Sequence, residues 1–248
     1  MILVLSGEGP TDPGTRRPKE TGWEFVPGPM AWIIDKLLDR PEKLDCSILD
    51  GHARGYEWVC FLNEADLGAP RYPRPRFFPH FPQTFGNQFH RASAYQLGKH
   101  AQSIGLERND AVIAVFFRDS DGTNSAPETL WRAIFESMRA GFLLSGFLSG
   151  VPMVPRPKSE AWMLCGLLKR EDAGRNCDWL EDEPGNDASP KSLKGQLEEH
   201  LKCKPTAELQ AELVRSGRID PAMIDLESFK EFCKELGRAY SNSALPLN

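Results

Sequence analysis

The residues with the clearest chemical meaning are two aspartates, Asp119 and Asp121, which directly follow a continuously apolar run at 111–117. With this i, i+2 spacing, an extended backbone places both carboxylates on the same side of the chain. Two negative charges this close are costly unless a cation lies between them. Mg²⁺ binds oxygen ligands and keeps several waters, so the pair predicts a site for Mg²⁺, with Mn²⁺ as the alternative. A surface turn whose aspartates cap backbone amides is the competing interpretation.

A third carboxylate, Glu8, has the same setting, because it follows a short apolar run at 2–5 and is flanked by glycines. Asp12 comes four residues later. Both apolar runs are typical of buried parallel strands, and ligands bind at the edge where the carboxyl ends of such strands meet. We therefore expect Glu8, Asp119 and Asp121 to lie together and to form a metal site of the kind used for phosphodiester chemistry.

The elements that must position these acids follow from the periodicity of apolar residues, which alternates between strand-like and helix-like runs. This predicts an α/β fold of Rossmann type, in which a doubly wound parallel sheet carries helices on both faces. The expected strands are 2–5, 47–49, 111–117 and 150–155. The expected helices are 30–38, 92–105, 127–141, 157–168, 191–203, 205–216 and 225–240. A catalytic domain at 1–170 would be followed by a polar, helical extension at 171–248.

Residues 66–91 interrupt this pattern with five prolines and six aromatic residues. Regular structure is not expected in such a segment. Its basic residues could hold a phosphate backbone while its rings stack on exposed bases. The alternative is an irregular loop that buries its phenylalanines. The candidate nucleic-acid contacts are Arg71, Arg74, Arg76 and Arg91.

Composition excludes several classes of protein. A formal net charge of -5 over 248 residues argues against a protein that coats nucleic acid through bulk electrostatics, although it permits a nuclease with local basic patches. Six cysteines without a C-x-x-C pair argue against a zinc ribbon and a disulfide framework. The N-terminal apolar run lacks a basic segment before it, and the apolar stretch 140–154 is broken by glycine, serine and proline. We therefore expect a cytoplasmic protein with no membrane span.

The segments Leu-Ser-Gly-Glu-Gly-Pro-Thr-Asp at 5–12 and Phe-Phe-Arg-Asp-Ser-Asp-Gly at 116–122 resemble the Toprim domain of topoisomerases, primases and the nuclease component of several bacterial anti-phage systems. The resemblance implies a Toprim-like sheet in which Glu8, Asp119 and Asp121 bind one or two Mg²⁺ ions. The E-x-x-x-D spacing, which adds Asp12, is similar to the overcoming-lysogenization-defect nucleases. It implies cleavage of DNA or RNA.

The segment Pro-Lys-Ser-Glu at 157–160 is similar to a Pro-x-x-Glu segment of small stand-alone Toprim-like proteins from bacterial defence islands. On that resemblance, Glu160 is a further metal-binding acid and Lys158 stabilises the pentavalent phosphorane. The implied partners are a nucleic acid substrate, a protein of a defence system and a second copy of the chain.

Two other functions remain open. Asp119-x-Asp121-Gly-Thr also matches the nucleophile motif of haloacid-dehalogenase-type phosphatases, in which Asp119 attacks phosphate and Asp121 acts as acid and base. The acidic loop at 181–187 imitates the late acidic motif of those enzymes, although no apolar strand leads into it. A non-catalytic, Toprim-like subunit of a defence complex is the alternative outside enzymes.

Overall fold

The structure is a computed structural model, and it describes residues 1–8, 11–20, 22–38, 46–68, 71–73, 87–120 and 128–243. Three candidate residues, Arg74, Arg76 and Asp121, lie outside these ranges. Within these ranges, no helix is both long enough and apolar enough to cross a membrane.

Among the described residues, a four-stranded, all-parallel sheet forms the centre of the fold. In chain order, the strands of this sheet and of a separate hairpin are β1 (Ile2–Gly7), β2 (Gly14–Lys19), β3 (Gly22–Pro27), β4 (Val59–Leu62), β5 (Val112–Phe117) and β6 (Gly150–Met153). The sheet has the order β4-β1-β5-β6, while β2 and β3 pair separately as an antiparallel hairpin. Every residue of β1 and β5 is buried, as expected for the two central strands of a parallel sheet covered on both faces.

Helices cover both faces of this sheet, which confirms the predicted α/β class. The helices are α1 (Pro29–Leu38), α2 (Ile48–Ala53), α3 (Glu64–Gly68), α4 (Asn87–Arg108), α5 (Glu128–Ser145), α6 (Ser159–Glu171), α7 (Leu193–Leu201), α8 (Ala207–Arg215) and α9 (Glu227–Ser243). Alternate side chains of β1 enter two separate cores. Leu3 and Leu5 pack with residues of α1, α6 and α9, whereas Ile2 and Val4 pack with residues of α4 and α5.

The described part of the extension, residues 171–243, shares the first of these cores. Phe229 and Phe232 of α9 lie in the same buried cluster as Leu3, Leu5 and Trp162. Leu193 and Leu197 place α7 in that cluster, and Leu213 and Val214 do the same for α8. The extension therefore shares one buried core with β1 and α6.

The structure corrects three local expectations, one in kind and two in their bounds. Residues 47–49 are not a strand, because the Ser47 hydroxyl accepts a hydrogen bond from the Asp50 amide at 3.2 Å and caps α2. The second strand of the sheet along the chain is β4. The helix expected at 92–105 begins earlier and continues through Gly105 to Arg108, so Gly105 does not end it. The segment 66–91, expected to be irregular, has the end of α3 and the start of α4 at its borders.

Candidate active site at the carboxyl edge of the sheet

Glu8 and Asp119 lie at the carboxyl ends of neighbouring strands. Gly7 and Phe117 are register partners at the ends of β1 and β5, and the Glu8 amide donates to the Phe117 carbonyl at 3.2 Å. One residue further, the Glu8 carboxylate forms an ion pair with Arg118, with 3.2 Å between Oε2 and Nη1. The two apolar runs therefore deliver their acids to the same edge of the sheet.

Ser159, the first residue of α6, connects Asp119 to Asp12. Its amide donates to Asp119 Oδ1 at 3.0 Å, and its hydroxyl donates to Asp12 Oδ1 at 2.6 Å. The Ser159 side chain is buried, so these two hydrogen bonds are shielded from water. Ser159 was not predicted as a site residue, because a serine at the start of a helix is ordinarily a local cap and its contacts with distant acids cannot be read from spacing.

The start of α6 is fixed at this edge by the segment that follows β5. The Ser120 hydroxyl donates to the Pro155 carbonyl at 2.7 Å, and the Ser120 amide donates to the Pro157 carbonyl at 3.0 Å. Arg118 adds a hydrogen bond from its amide to the Met153 carbonyl at 3.0 Å. The chain after β5 thus runs beside the chain after β6, and this brings α6 to Asp119.

Asp12 is held at the base of the β2–β3 hairpin. The Met30 amide donates to the Asp12 carbonyl at 3.0 Å, and the Gly28 amide donates to the Pro13 carbonyl at 3.4 Å. Any side chain at position 28 would collide with the Thr11 and Asp12 carbonyl oxygens, so only glycine permits this close approach. The main chain that enters the hairpin is therefore hydrogen-bonded, at Asp12 and Pro13, to the main chain that leaves it.

The electrostatics of Asp12 and Glu160 suit a hard divalent cation. Burial raises the pKa of both carboxyls, and the nearby negative charge of Asp12 raises the pKa of Glu160 further. The positive charge of Lys158 acts in the opposite direction on both. Partly desolvated carboxylates that repel each other are stabilised by a cation, and an all-oxygen set of donors favours Mg²⁺ or Mn²⁺ over softer metals. In donor type, the carboxylates of Asp12 and Glu160 match what such an ion prefers.

Among the described residues, no group of three or more His, Cys, Asp or Glu side chains lies close enough together to hold a metal ion. Asp121, one of the predicted ligands, is outside those residues. In the described part of the edge, Ser159 links Asp12 to Asp119, and Arg118 pairs with Glu8.

A carboxylate of the extension also reaches this edge. Asp187 Oδ1 lies 2.8 Å from the Lys158 ammonium, and the hydrogen bond from Lys158 lowers the pKa of Asp187. Asp187 Oδ2 lies 3.4 Å from the ammonium of Lys194. The sequence analysis assigned the acidic loop at 181–187 only to the phosphatase alternative. It did not predict the contact of Asp187 with Lys158.

Of the four arginines predicted to contact nucleic acid, the two that the structure describes differ in their exposure. Arg91 is buried in α4, with only 5% of its surface exposed, which is at odds with a direct contact to nucleic acid. Arg71 is exposed, in a short segment that Tyr72 anchors to Gln96 of α4 through two hydrogen bonds. Arg74 and Arg76 lie outside the described residues.

We expect the stability of the fold to depend on pH through a buried histidine, His90, near Arg118. Burial lowers the pKa of His90 from 6.5 to about 4, and the Arg118 charge adds to this effect. Between these values the unfolded chain binds more protons, so stability falls as the pH decreases through this window. The expected loss between pH 7 and pH 5 is about 2 kcal/mol.

Urea unfolding of the wild type and of His90→Gln at the two pH values measures this contribution. The variant cannot bind the proton, so its free energy of unfolding should fall by less than that of the wild type. Equal losses in the two proteins would show that His90 does not resist protonation in the fold.

Comparison with family models, with curated proteins and with solved structures found no match to this chain.

Proposed function

We propose that this chain is a Mg²⁺- or Mn²⁺-dependent nuclease of Toprim-like type that hydrolyses phosphodiester bonds in DNA or RNA. The observation that supports it most is the double hydrogen bond of Ser159, which holds Asp12 and Asp119 at the carboxyl edge of the sheet. Glu8 joins the same edge through β1, and Glu160 follows Ser159 directly in α6. Five acids, including Asp121, make up the proposed set of ligands.

In this proposal, Glu8, Asp12, Asp119, Asp121 and Glu160 hold the metal. One or two bound ions would supply a lower pKa for a water molecule and neutralisation of the leaving oxygen. The oxygen donors of the chain are oriented before substrate arrives, because Ser159 and Arg118 restrict the rotation of three of the carboxylates.

Lys158 is the proposed stabiliser of the negative charge that develops on the phosphate. Its ammonium lies close enough to influence the pKa of Asp12 and of Glu160, so it borders the acidic edge from the α6 side. A fixed positive charge in a partly desolvated site favours a transition state that carries more negative charge than the substrate. The side chain is only 16% exposed, which limits screening by water.

The biological role in the proposal is that of an effector in bacterial anti-phage defence, acting in the cytoplasm. This part rests on the resemblance of Pro-Lys-Ser-Glu at 157–160 to stand-alone Toprim-like proteins. A partner protein of the defence system and self-association belong to the same proposal.

The experiment that tests the proposal is incubation of the protein with plasmid, single-stranded DNA and total tRNA in Mg²⁺, in Mn²⁺ and in chelator. We expect cleavage of at least one of these nucleic acids in the presence of metal and none in chelator. The substrate that is cleaved names the class of nucleic acid.

A parallel assay uses a small chromogenic phosphomonoester. Release of phosphate from this compound without cleavage of any nucleic acid would contradict the proposal and favour Asp119 as the nucleophile of a phosphatase. Absence of both activities in all metals would favour a non-catalytic subunit.

A further inference from the structure

Asp187 of the helical extension bridges two lysines that belong to different helical segments. Its Oδ1 atom lies 2.8 Å from the Lys158 ammonium, and its Oδ2 atom lies 3.4 Å from the Lys194 ammonium. Each oxygen of one anion therefore faces its own cation. Two anionic oxygens on a backbone phosphate are able to meet the same pair of charges.

The packing of the helices fixes the spacing of these two lysines. Lys158 directly precedes α6, and Lys194 lies in the first turn of α7. The two helices pack against each other, and Leu193 and Leu197 of α7 are buried in the main core. The backbones that carry the lysines are thus held in place without help from Asp187.

Asp187 itself is positioned by a tight turn. Asn186 accepts a hydrogen bond on its side-chain oxygen from the Ala188 amide at 2.9 Å, and on its carbonyl from the Ser189 amide at 3.0 Å. The turn holds the backbone of Asp187, whereas its carboxylate is about half exposed, as is the ammonium of Lys194. A solvent-borne anion is therefore able to approach the pair from the exposed side.

The position of Lys158 and Lys194 beside the acidic edge indicates which class of anion they would bind. Lys158 directly precedes Ser159, which binds Asp12 and Asp119, and its ammonium contacts Asp187. It therefore lies next to both the proposed metal ligands and the exposed anion position. A small anion would gain binding free energy from Lys158 and Lys194 alone. A nucleic acid strand would gain binding free energy from the two lysines and also from the acidic edge, because Lys158 borders that edge.

We infer that Lys158 and Lys194 form a binding subsite for a backbone phosphate of a nucleic acid strand, and that Asp187 occupies this subsite until the strand displaces it. The inference rests on the proposed nuclease function and adds to it a phosphate contact made by the extension. Asp187 then competes with the substrate. A carboxylate with a purely structural role would leave nucleic acid binding unchanged when it is neutralised.

The test measures binding of short fluorescein-labelled DNA and RNA strands by fluorescence anisotropy, in chelator and over a series of salt concentrations. Asp187→Asn removes the competing charge, and Lys194→Gln removes one of the two cations. Glu231→Gln is the matched control, since it neutralises another carboxylate that pairs with a lysine, Lys234, at 3.5 Å. Circular dichroism checks that each variant is folded.

We expect Asp187→Asn to bind about three- to tenfold tighter than the wild type, because two partly exposed ion pairs no longer oppose binding. Lys194→Gln should bind more weakly, and its slope of log affinity against log salt should be shallower by about 0.7 for a single strand. The gain from Asp187→Asn should shrink in the Lys194→Gln background, since the two residues act on the same phosphate. Glu231→Gln should match the wild type.

Equal affinities of Asp187→Asn and Glu231→Gln, together with an unchanged salt slope in Lys194→Gln, would overturn the subsite. If the wild type still cleaves nucleic acid in metal, the proposed function stands in that case. If the wild type neither binds nor cleaves nucleic acid and hydrolyses only the phosphomonoester, the proposed function fails and the subsite fails with it.

Discussion

Replacing Asp119 with asparagine is expected to slow metal-dependent cleavage about a hundredfold or more, because loss of residues that merely support a metal ligand already costs 10- to 100-fold. Asparagine keeps a side-chain oxygen that accepts the hydrogen bond from the Ser159 amide, so α6 should begin as in the wild type. The melting temperature should therefore stay near that of the wild type. The measurement pairs initial cleavage rates over a Mg²⁺ titration with thermal melting.

Two further variants separate catalysis from helix capping. Asp119→Ala removes both the charge and the acceptor, and it should lose activity and also about 0.5–2 kcal/mol of stability. Asp220→Asn is the matched control, because Asp220 accepts a hydrogen bond from the Ala222 amide at 3.0 Å in the extension. Full activity of Asp119→Asn beside reduced stability of Asp119→Ala would mean that Asp119 only caps α6.

Replacing Trp162 with alanine is expected to lower the free energy of unfolding by about 3–5 kcal/mol, the usual cost of deleting a fully buried tryptophan. Trp162 is 0% exposed, and its ring lies edge-on to Phe229 and stacks with Phe232. Its indole nitrogen donates to the Ser228 hydroxyl at 2.8 Å, so the substitution also leaves a buried hydroxyl without that donor. Urea unfolding followed by circular dichroism measures the loss.

Trp23→Ala provides the comparison for this variant. Trp23 lies in β3 and is 69% exposed, so its removal should change stability by no more than about 0.5 kcal/mol. Trp162 belongs to α6, whereas Phe229 and Phe232 belong to α9 of the extension. A small loss for Trp162→Ala would therefore show that α9 does not stabilise the part of the chain that carries the proposed site.

The central strands were predictable from the sequence because burial on both faces demands continuous apolar residues. The run at 111–117 meets this demand fully, and β5 spans all but its first residue. In contrast, β4 has only four residues at the edge of the sheet and leaves no comparable signal. Residues 47–49 look like a strand in isolation, but the Ser47 cap that makes them the start of a helix depends on a hydrogen bond three residues away.

The expected strands did not include the hairpin of β2 and β3, because each of its two strands contains a proline. Pro18 lies within β2 opposite Trp23, a position that a two-stranded ribbon tolerates because its outer edges are unpaired. The acids at the ends of strands were likewise readable from the sequence. The connection of Asp12 to Asp119 through Ser159 was not, because it joins three segments that are distant along the chain.

The closed base of this hairpin has an evolutionary consequence. The chain leaves the acidic edge after Asp12 and returns to the same point at Gly28 and Met30. The inner part of the hairpin is tied to its neighbours, because Arg16 pairs with Asp66 and Phe25 stacks on Phe61. Its outer part, residues 17–20 and 22–24, is exposed. Natural selection can therefore vary this outer part most freely while Asp12 keeps its position.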